Sequence, residues 1–241
     1  ALRSGLKISV YIDLNVGQDR TGIKPEDALE LYAECSTLKG ISVAGLHAYD
    51  GHLHDADLAQ RTEKCNEAFD PVAKLRQDII SRGYPEPVIV AGGTPTFPIH
   101  AKREAIECSP GTFIYWDRGY SLLCAEQPFL PAALVISRAI SLPARNKICL
   151  DVGHKSVSAE NELSKRIYFL NAPELQLAGQ SEEHLVAEVD ESHQFSVGDV
   201  LYGIPYHVCP TIALYERVLT IEDHKISGEW KNIARDRKIN I

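Results

Sequence analysis

The sequence predicts an α/β fold in its first half and a β-rich domain after it. Three observations carry this. Up to Asp117, short apolar runs alternate with amphipathic stretches of helical length, the pattern of parallel βα units. Beyond Asp117 the long helical patterns stop, and short strand-like runs separated by turn signals take over. The composition, 241 residues with 44% hydrophobic and 24% charged, is that of one large soluble domain or two.

Each element has its own signal. Residues 6–13 alternate apolar and polar, which marks a strand, and Asn15–Gly22 is a turn. Pro25 opens a helix that runs to Thr37, since proline is tolerated in a first turn; Lys39 and Gly40 close it. Ile41–Leu46 is a second strand, ending in His47-Ala48-Tyr49-Asp50-Gly51-His52. A long amphipathic helix follows from Leu58 to Arg82, stopped by Gly83, with a kink expected at Asp70-Pro71. Pro87–Val90 is short and wholly apolar, as in a buried parallel sheet, and leads into Gly92-Gly93-Thr94. Ala105–Cys108 and Thr112–Trp116 read as further short strands. Only about four βα units are present, half of a barrel.

The second half reads as short strands at 133–141, 147–151, 167–170, 183–189, 200–204 and 215–221. The boundary falls in the proline-rich stretch Gln127–Pro131. The division is therefore residues 1–127, the C-terminal portion of a barrel, and residues 128–241, a β domain. The chain contains no Met and opens almost directly on a strand, so it reads as starting inside a fold whose N-terminal part is missing.

Charge and cysteine usage narrow the partners. A net charge of -8 argues against nucleic acid or an anionic membrane as partner. No apolar run reaches the length of a membrane span, and no signal peptide opens the chain. Six cysteines without a CxxC pair read as reduced thiols in a cytoplasmic protein.

Several groups carry possible chemistry. His207 and Cys209 lie two apart in Tyr206-His207-Val208-Cys209-Pro210-Thr211. On an extended segment their side chains share one side, and imidazole with thiolate is the ligand set zinc prefers. Pro205 and Pro210 bracket the pair and make the segment a fixed turn; a strand end with one buried thiol is the plainer alternative. Gly92, Gly93 and Thr94 follow a buried strand, where backbone N–H groups and a hydroxyl can cradle phosphate; the same residues also suit a tight βα loop. His47 and Tyr49 alternate onto one side at a strand end, where a barrel keeps its site, or else form a buried polar pair. Arg20 is placed to meet a carboxylate or phosphate, or is a solvated turn charge. Asp151, His154 and Lys155 read as a β-turn with surface charge. Tyr115 is placed to reach a site, and Trp116 reads as core.

Taken in order, DLNVGQDRTG (13–22), HAYDGH (47–52), GGTPTF (92–97), SPGTFIYWDRGY (109–120), LDVGHK (150–155), Glu182-Glu183-His184 and PYHVCPT (205–211) resemble one known family. It is the metal-dependent D-serine dehydratase and D-threonine aldolase group of the alanine racemase-type, fold type III pyridoxal-phosphate enzymes. The resemblance implies a (β/α)8 barrel carrying pyridoxal 5'-phosphate, followed by a C-terminal β domain carrying zinc or another divalent metal. It makes Gly92, Gly93 and Thr94 the phosphate cradle, Arg20, His47, Tyr49 and Tyr115 pocket residues, and His207 and Cys209 the metal ligands. It implies a lyase acting on a small β-hydroxy D-amino acid, D-serine dehydration first and D-threonine cleavage second, working as a homodimer. An amino-acid racemase and a non-catalytic pyridoxal-phosphate-binding protein are the remaining alternatives. In one respect the chain departs from the family. The lysine that anchors the cofactor belongs to the first barrel strand, and none here occupies that position, so it is expected upstream of Ala1.

Overall fold

The computed structural model describes residue 3 and residues 5–236. The chain divides into two compact units, Ala1–Phe113 and Ile114–Ile241. Residues 114–127, placed by the sequence with the barrel portion, make their contacts within the second unit.

The first unit is a four-stranded parallel sheet, β1 (Ile8–Asp13), β2 (Ile41–Ala48), β3 (Val88–Ala91) and β4 (Ile106–Cys108), in sequential order. Each parallel step requires a crossover, and helices α1 (Ala28–Thr37), α2 (Leu58–Ser81) and α3 (Phe97–His100) lie in those steps. A 3-10 turn at Pro25–Asp27 leads into α1, with Pro25 in the position where a missing N–H costs nothing. Asp57 caps α2, its carboxylate accepting the Gln60 N–H at 2.8 Å. Pro71 lies inside α2, which is assigned as one helix across it.

Leu46 and Ile89 from the sheet, Ile79 and Val72 from α2 and Ala28 from α1 are all fully buried. They form one core with Ile12, Leu14, Tyr32, Ala48, Leu75 and Ala91. The register pairs Asp13 with His47, Ala48 with Ala91, and Ala91 with Cys108. Every loop that carries a candidate residue of this unit therefore leaves the same, C-terminal edge of the sheet, where parallel-sheet proteins keep their sites.

The second unit has one six-stranded antiparallel sheet. Its strands are β5 (Val135–Ala144), β6 (Lys147–Leu150), β7 (Ile167–Phe169), β8 (Gln176–Gln180), β9 (Leu185–Glu188) and β10 (Val200–Pro205), in the order β7-β10-β5-β6-β9-β8. Ile148, Leu150, Leu185 and Leu201 are fully buried in its core. Helix α4 (Arg118–Leu123) precedes this sheet, helix α5 (Val208–Ile212) follows it, and strands β11 (Arg217–Glu222) and β12 (Lys225–Lys231) form a separate hairpin.

One expectation is corrected. Thr112–Trp116 is not a strand; residues Thr112–Ile114 form a 3-10 turn. Trp116 then takes a positive φ of 52° and packs, almost fully buried, against Tyr120 and Phe129. The aromatic and β-branched residues that suggested a strand serve this local packing instead. The expected strand at 215–221 is one arm of a hairpin whose second arm, β12, the sequence left unassigned.

Candidate active site

The C-terminal edge of the first sheet gathers Arg20, His47, Tyr49, Gly92, Gly93 and Thr94. The loop after β1 is shaped by Asn15, whose side-chain oxygen accepts the N–H groups of Gly17 and Asp19, both at 3.1 Å. It returns to the sheet through Ile23 N–H to Asp13 O at 3.0 Å. This brings the Arg20 guanidinium 4.9 Å from the centre of the Tyr49 ring, a cation–π contact.

His47 and Tyr49, two apart on β2 and its extension, stand nearly parallel, with ring centres 6.5 Å apart and planes 9° apart. The imidazole Nδ1 lies 2.8 Å from Asp13 Oδ1, and Thr21 Oγ1 donates to Asp13 Oδ2 at 2.7 Å. Burial pushes the Asp13 carboxyl up, but the His47 and Thr21 hydrogen bonds outweigh it and hold the group below the usual carboxylate range. An ionised Asp13 accepts from Nδ1–H, which fixes the His47 tautomer and leaves Nε2 for other partners. Asp13 was not singled out from the sequence; its parallel pairing with His47 in the register is the signal that places it.

The Gly92–Phe97 turn follows β3. Gly92 has a φ of +92°, and a Cβ there would meet His100 Cδ2 at 2.9 Å, so the position calls for glycine. A Cβ on Gly93 would meet Tyr49 Cε2 at 3.2 Å, which places this turn against the aromatic shelf. Thr94 is 5% exposed, and its Oγ1 accepts the Thr112 N–H at 3.3 Å. The Gly93 N–H points inward, donating to Asp50 Oδ1 at 2.9 Å and to Thr96 Oγ1 at 3.1 Å. Gly93 therefore contributes shape to an anion cradle rather than this donor.

The second unit holds the other candidates. Tyr115 is half-buried, its carbonyl accepting the Ala132 N–H at 2.7 Å. β10 ends at Pro205, and the fixed turn expected between Pro205 and Pro210 is the start of a short helix. His207 is the extended N-cap of α5, with Cys209 and Pro210 in its first turn. The change has a cause: the Asp117 carboxylate accepts the Val208 N–H at 3.0 Å, and Thr211 Oγ1 returns to the His207 carbonyl at 2.8 Å. Both bonds suit a helix start better than a sheet ladder.

The two side chains still meet. His207 is hydrogen-bonded to Cys209, and its Nδ1 lies 2.5 Å from Glu160 Oε1. The Cys209 contact first, and then Glu160 against the cost of burial, raise the His207 imidazole to about 9. Glu160 is 47 positions from His207, and no spacing in the sequence pointed to it.

The donor sets fit the implied groups. Two parallel aromatic faces with an arginine above one of them and a glycine turn beside them suit a flat, anionic heteroaromatic. An imidazole and a thiol in contact, with a carboxylate on the other ring nitrogen, suit a divalent metal such as zinc.

Asp151, His154 and Lys155 are exposed, with His154 and Lys155 in a turn. Asp151 Oδ1 accepts the Arg138 N–H at 2.7 Å and the Ser137 hydroxyl at 3.0 Å, and Lys155 pairs with Glu182 and Glu183.

Two family models match the chain. The alanine racemase N-terminal domain matches residues 1–119, and the putative serine dehydratase domain matches residues 132–221. Among curated proteins, D-threonine aldolase of an Arthrobacter species is 29% identical over 97% of this chain and 62% of its own length. 3-Hydroxy-D-aspartate aldolase of Paracoccus denitrificans is 19% identical over 98% of this chain and 63% of its own. The chain thus spans less than two thirds of these relatives.

Of the solved structures, D-threonine aldolase from Filomicrobium marinum has a TM-score of 0.89 at 24% identity, covering 97% of this chain and 64% of that one. A cysteine-to-alanine mutant of D-threo-3-hydroxyaspartate dehydratase, in its metal-free form, has a TM-score of 0.80 at 20% identity, covering 96% and 67%. These likenesses establish the fold, a partial barrel sheet of alanine racemase type with a C-terminal β-rich region.

Proposed function

We propose, from the matches of residues 1–119 to the alanine racemase N-terminal domain and of residues 132–221 to the putative serine dehydratase domain, that its gene product is a metal-dependent pyridoxal-phosphate lyase for β-hydroxy D-amino acids. The observation that carries this reading is the His207–Cys209 pair with Glu160 behind it. Pyridoxal phosphate supplies an electron sink that makes a bond at the substrate Cα breakable. A divalent metal supplies Lewis acidity at the substrate β-hydroxyl.

The chain's own residues prepare the two sites. His47 and Tyr49 form a flat shelf for an aromatic ring. Asp13 keeps His47 in one tautomer, and Arg20 brings positive charge to the Tyr49 face. The Gly92–Thr94 turn lets an anionic group approach the backbone closely. His207 and Cys209 hold the metal, and Glu160, by accepting from Nδ1, leaves Nε2 as the nitrogen that binds it. With two protein donors, positions stay open for substrate or water, as a catalytic rather than a closed structural site requires.

Thiolate prefers zinc to magnesium or manganese, which favours dehydration of D-serine to pyruvate and ammonia. A second reading, retro-aldol cleavage of D-threonine to glycine and an aldehyde, is favoured by the 29% identity to a D-threonine aldolase.

The test is chelation of the full-length gene product followed by zinc addition, with pyruvate measured from D-serine and aldehyde from D-threonine. Activity should vanish on chelation and return with zinc, and the products distinguish the two reactions. Full activity in chelated protein toward both substrates would overturn the metal role. We also propose a homodimer, in keeping with the family, which size measurement at micromolar concentration checks; a strict monomer would count against it.

A further inference from the structure

Behind the Gly92–Thr94 turn lies a buried polar cluster that no step above uses. Asp50, Cys65 and His100 have their ligand-type atoms within 4.8 Å of one another, and all three residues are buried. His100 Nε2 is 2.9 Å from Asp50 Oδ2 and 3.2 Å from Cys65 Sγ. A metal would suit these residue types, yet the hydrogen bonds already satisfy them. Arg103 Nε donates to His100 Nδ1 at 3.4 Å, so Nδ1 is the acceptor and Nε2 carries the proton. That proton goes to Asp50 Oδ2, and the Cys65 thiol donates to the same oxygen at 3.8 Å. On the other oxygen, Asp50 Oδ1 accepts the Thr96 hydroxyl at 2.6 Å and the Gly93 N–H at 2.9 Å. One carboxylate, 3% exposed at its side chain, thus takes four donors. Two of the four, the Gly93 N–H and the Thr96 hydroxyl, belong to the Gly92–Phe97 turn itself.

We propose that Asp50 is the positioning residue of the Gly92–Thr94 turn, its carboxylate anchoring the turn through the Gly93 N–H and the Thr96 hydroxyl so that the turn is preformed for a phosphate monoester. This rests on the cradle reading above. Preorganisation is the physical content. An unanchored glycine pair samples many conformations, and each must be given up when the anion binds. Four hydrogen bonds, with the Arg103 guanidinium behind neutral His100 supplying positive charge, make a buried carboxylate tolerable. Burial pushes Asp50 up, but the bonds from His100, Thr96 and Gly93 outweigh it and hold it below the usual carboxylate range.

The experiment compares affinity for pyridoxal 5'-phosphate with affinity for pyridoxal in the full-length gene product, by absorbance or fluorescence titration. The ratio isolates the phosphate contribution and does not depend on catalysis. Thr96→Val removes one anchor without adding bulk and should lower the ratio about 10-fold. Thr96→Ser, which keeps the hydroxyl, should restore it. Asp50→Asn should lower the ratio at least as far. If that variant does not fold, the Thr96 pair still decides, with circular dichroism showing that the fold is kept. A ratio unchanged in folded Thr96→Val and Asp50→Asn overturns the positioning role and leaves the cradle standing. A wild-type protein with no preference for the phosphorylated form overturns the cradle reading and this proposal with it. Stoichiometric zinc that persists in Cys209→Ala but is lost in Cys65→Ala would make the cluster a metal site and overturn the proposal too.

Discussion

Glu160 and Asp50 are two carboxylates whose work depends on what they hold. Glu160 accepts from the imidazole that carries the candidate metal nitrogen. Orienting carboxylates of this kind typically set metal affinity within a factor of about 10 to 100. Glu160→Gln is therefore expected to weaken zinc about 10-fold or more in a competition titration, with the fold intact; unchanged affinity would show that Glu160 plays no part. Asp50 gives a pH signature. Its carboxyl is depressed in the folded state, so its stabilisation is complete above the unfolded value of about 3.9 and is lost as pH falls through the folded value. Asp50→Asn should be less stable than the parent near neutrality, with the gap closing below about pH 4 in acid titrations followed by circular dichroism. A gap that stays constant with pH would mean the charge contributes nothing.

At the scale of elements, α4 and the approach to α5 are tied together before the metal pair begins. Gly119 N–H donates to the Tyr206 carbonyl at 3.1 Å, and a Cβ at Gly119 would meet that oxygen at 2.5 Å. Gly119→Ala should push α4 away from the Tyr206 segment, cost about 1–3 kcal/mol, and lower zinc affinity because His207 follows Tyr206 directly. Unchanged melting and metal binding would contradict this. The parallel units were legible because their apolar runs and helical stretches have different periods. What escaped was set by contacts distant in the chain. The start of α5 depends on Asp117, and the 3-10 turn at Thr112–Ile114 leads into a tryptophan at positive φ. β8 was missed because its exposed and half-buried positions carry no clean alternation. The candidate site residues of the first unit were legible as strand-end motifs. Asp13, Asp50 and Glu160 were not, since a carboxylate's role follows from the group it faces.

At the scale of the whole molecule, each unit has its own closed core, and neither core contains His207 or Cys209. Removing the proposed metal should therefore leave the fold in place. Chelation is expected to shift the melting temperature by less than about 5 °C, whereas a structural zinc would unfold its domain on removal; collapse of the far-ultraviolet signal on chelation would count against a catalytic metal. The exposure of Cys209 has one more consequence. The chain has six cysteines and no methionine, and of the six only Cys209 is exposed. Peroxide will meet that sulfur first, and a sulfenic acid there is a poor zinc ligand. Mild oxidant should silence the enzyme with one added oxygen at Cys209, a thiol reductant should revive it, and bound zinc should protect it. The sulfur proposed to hold the metal is also the one an oxidant reaches first.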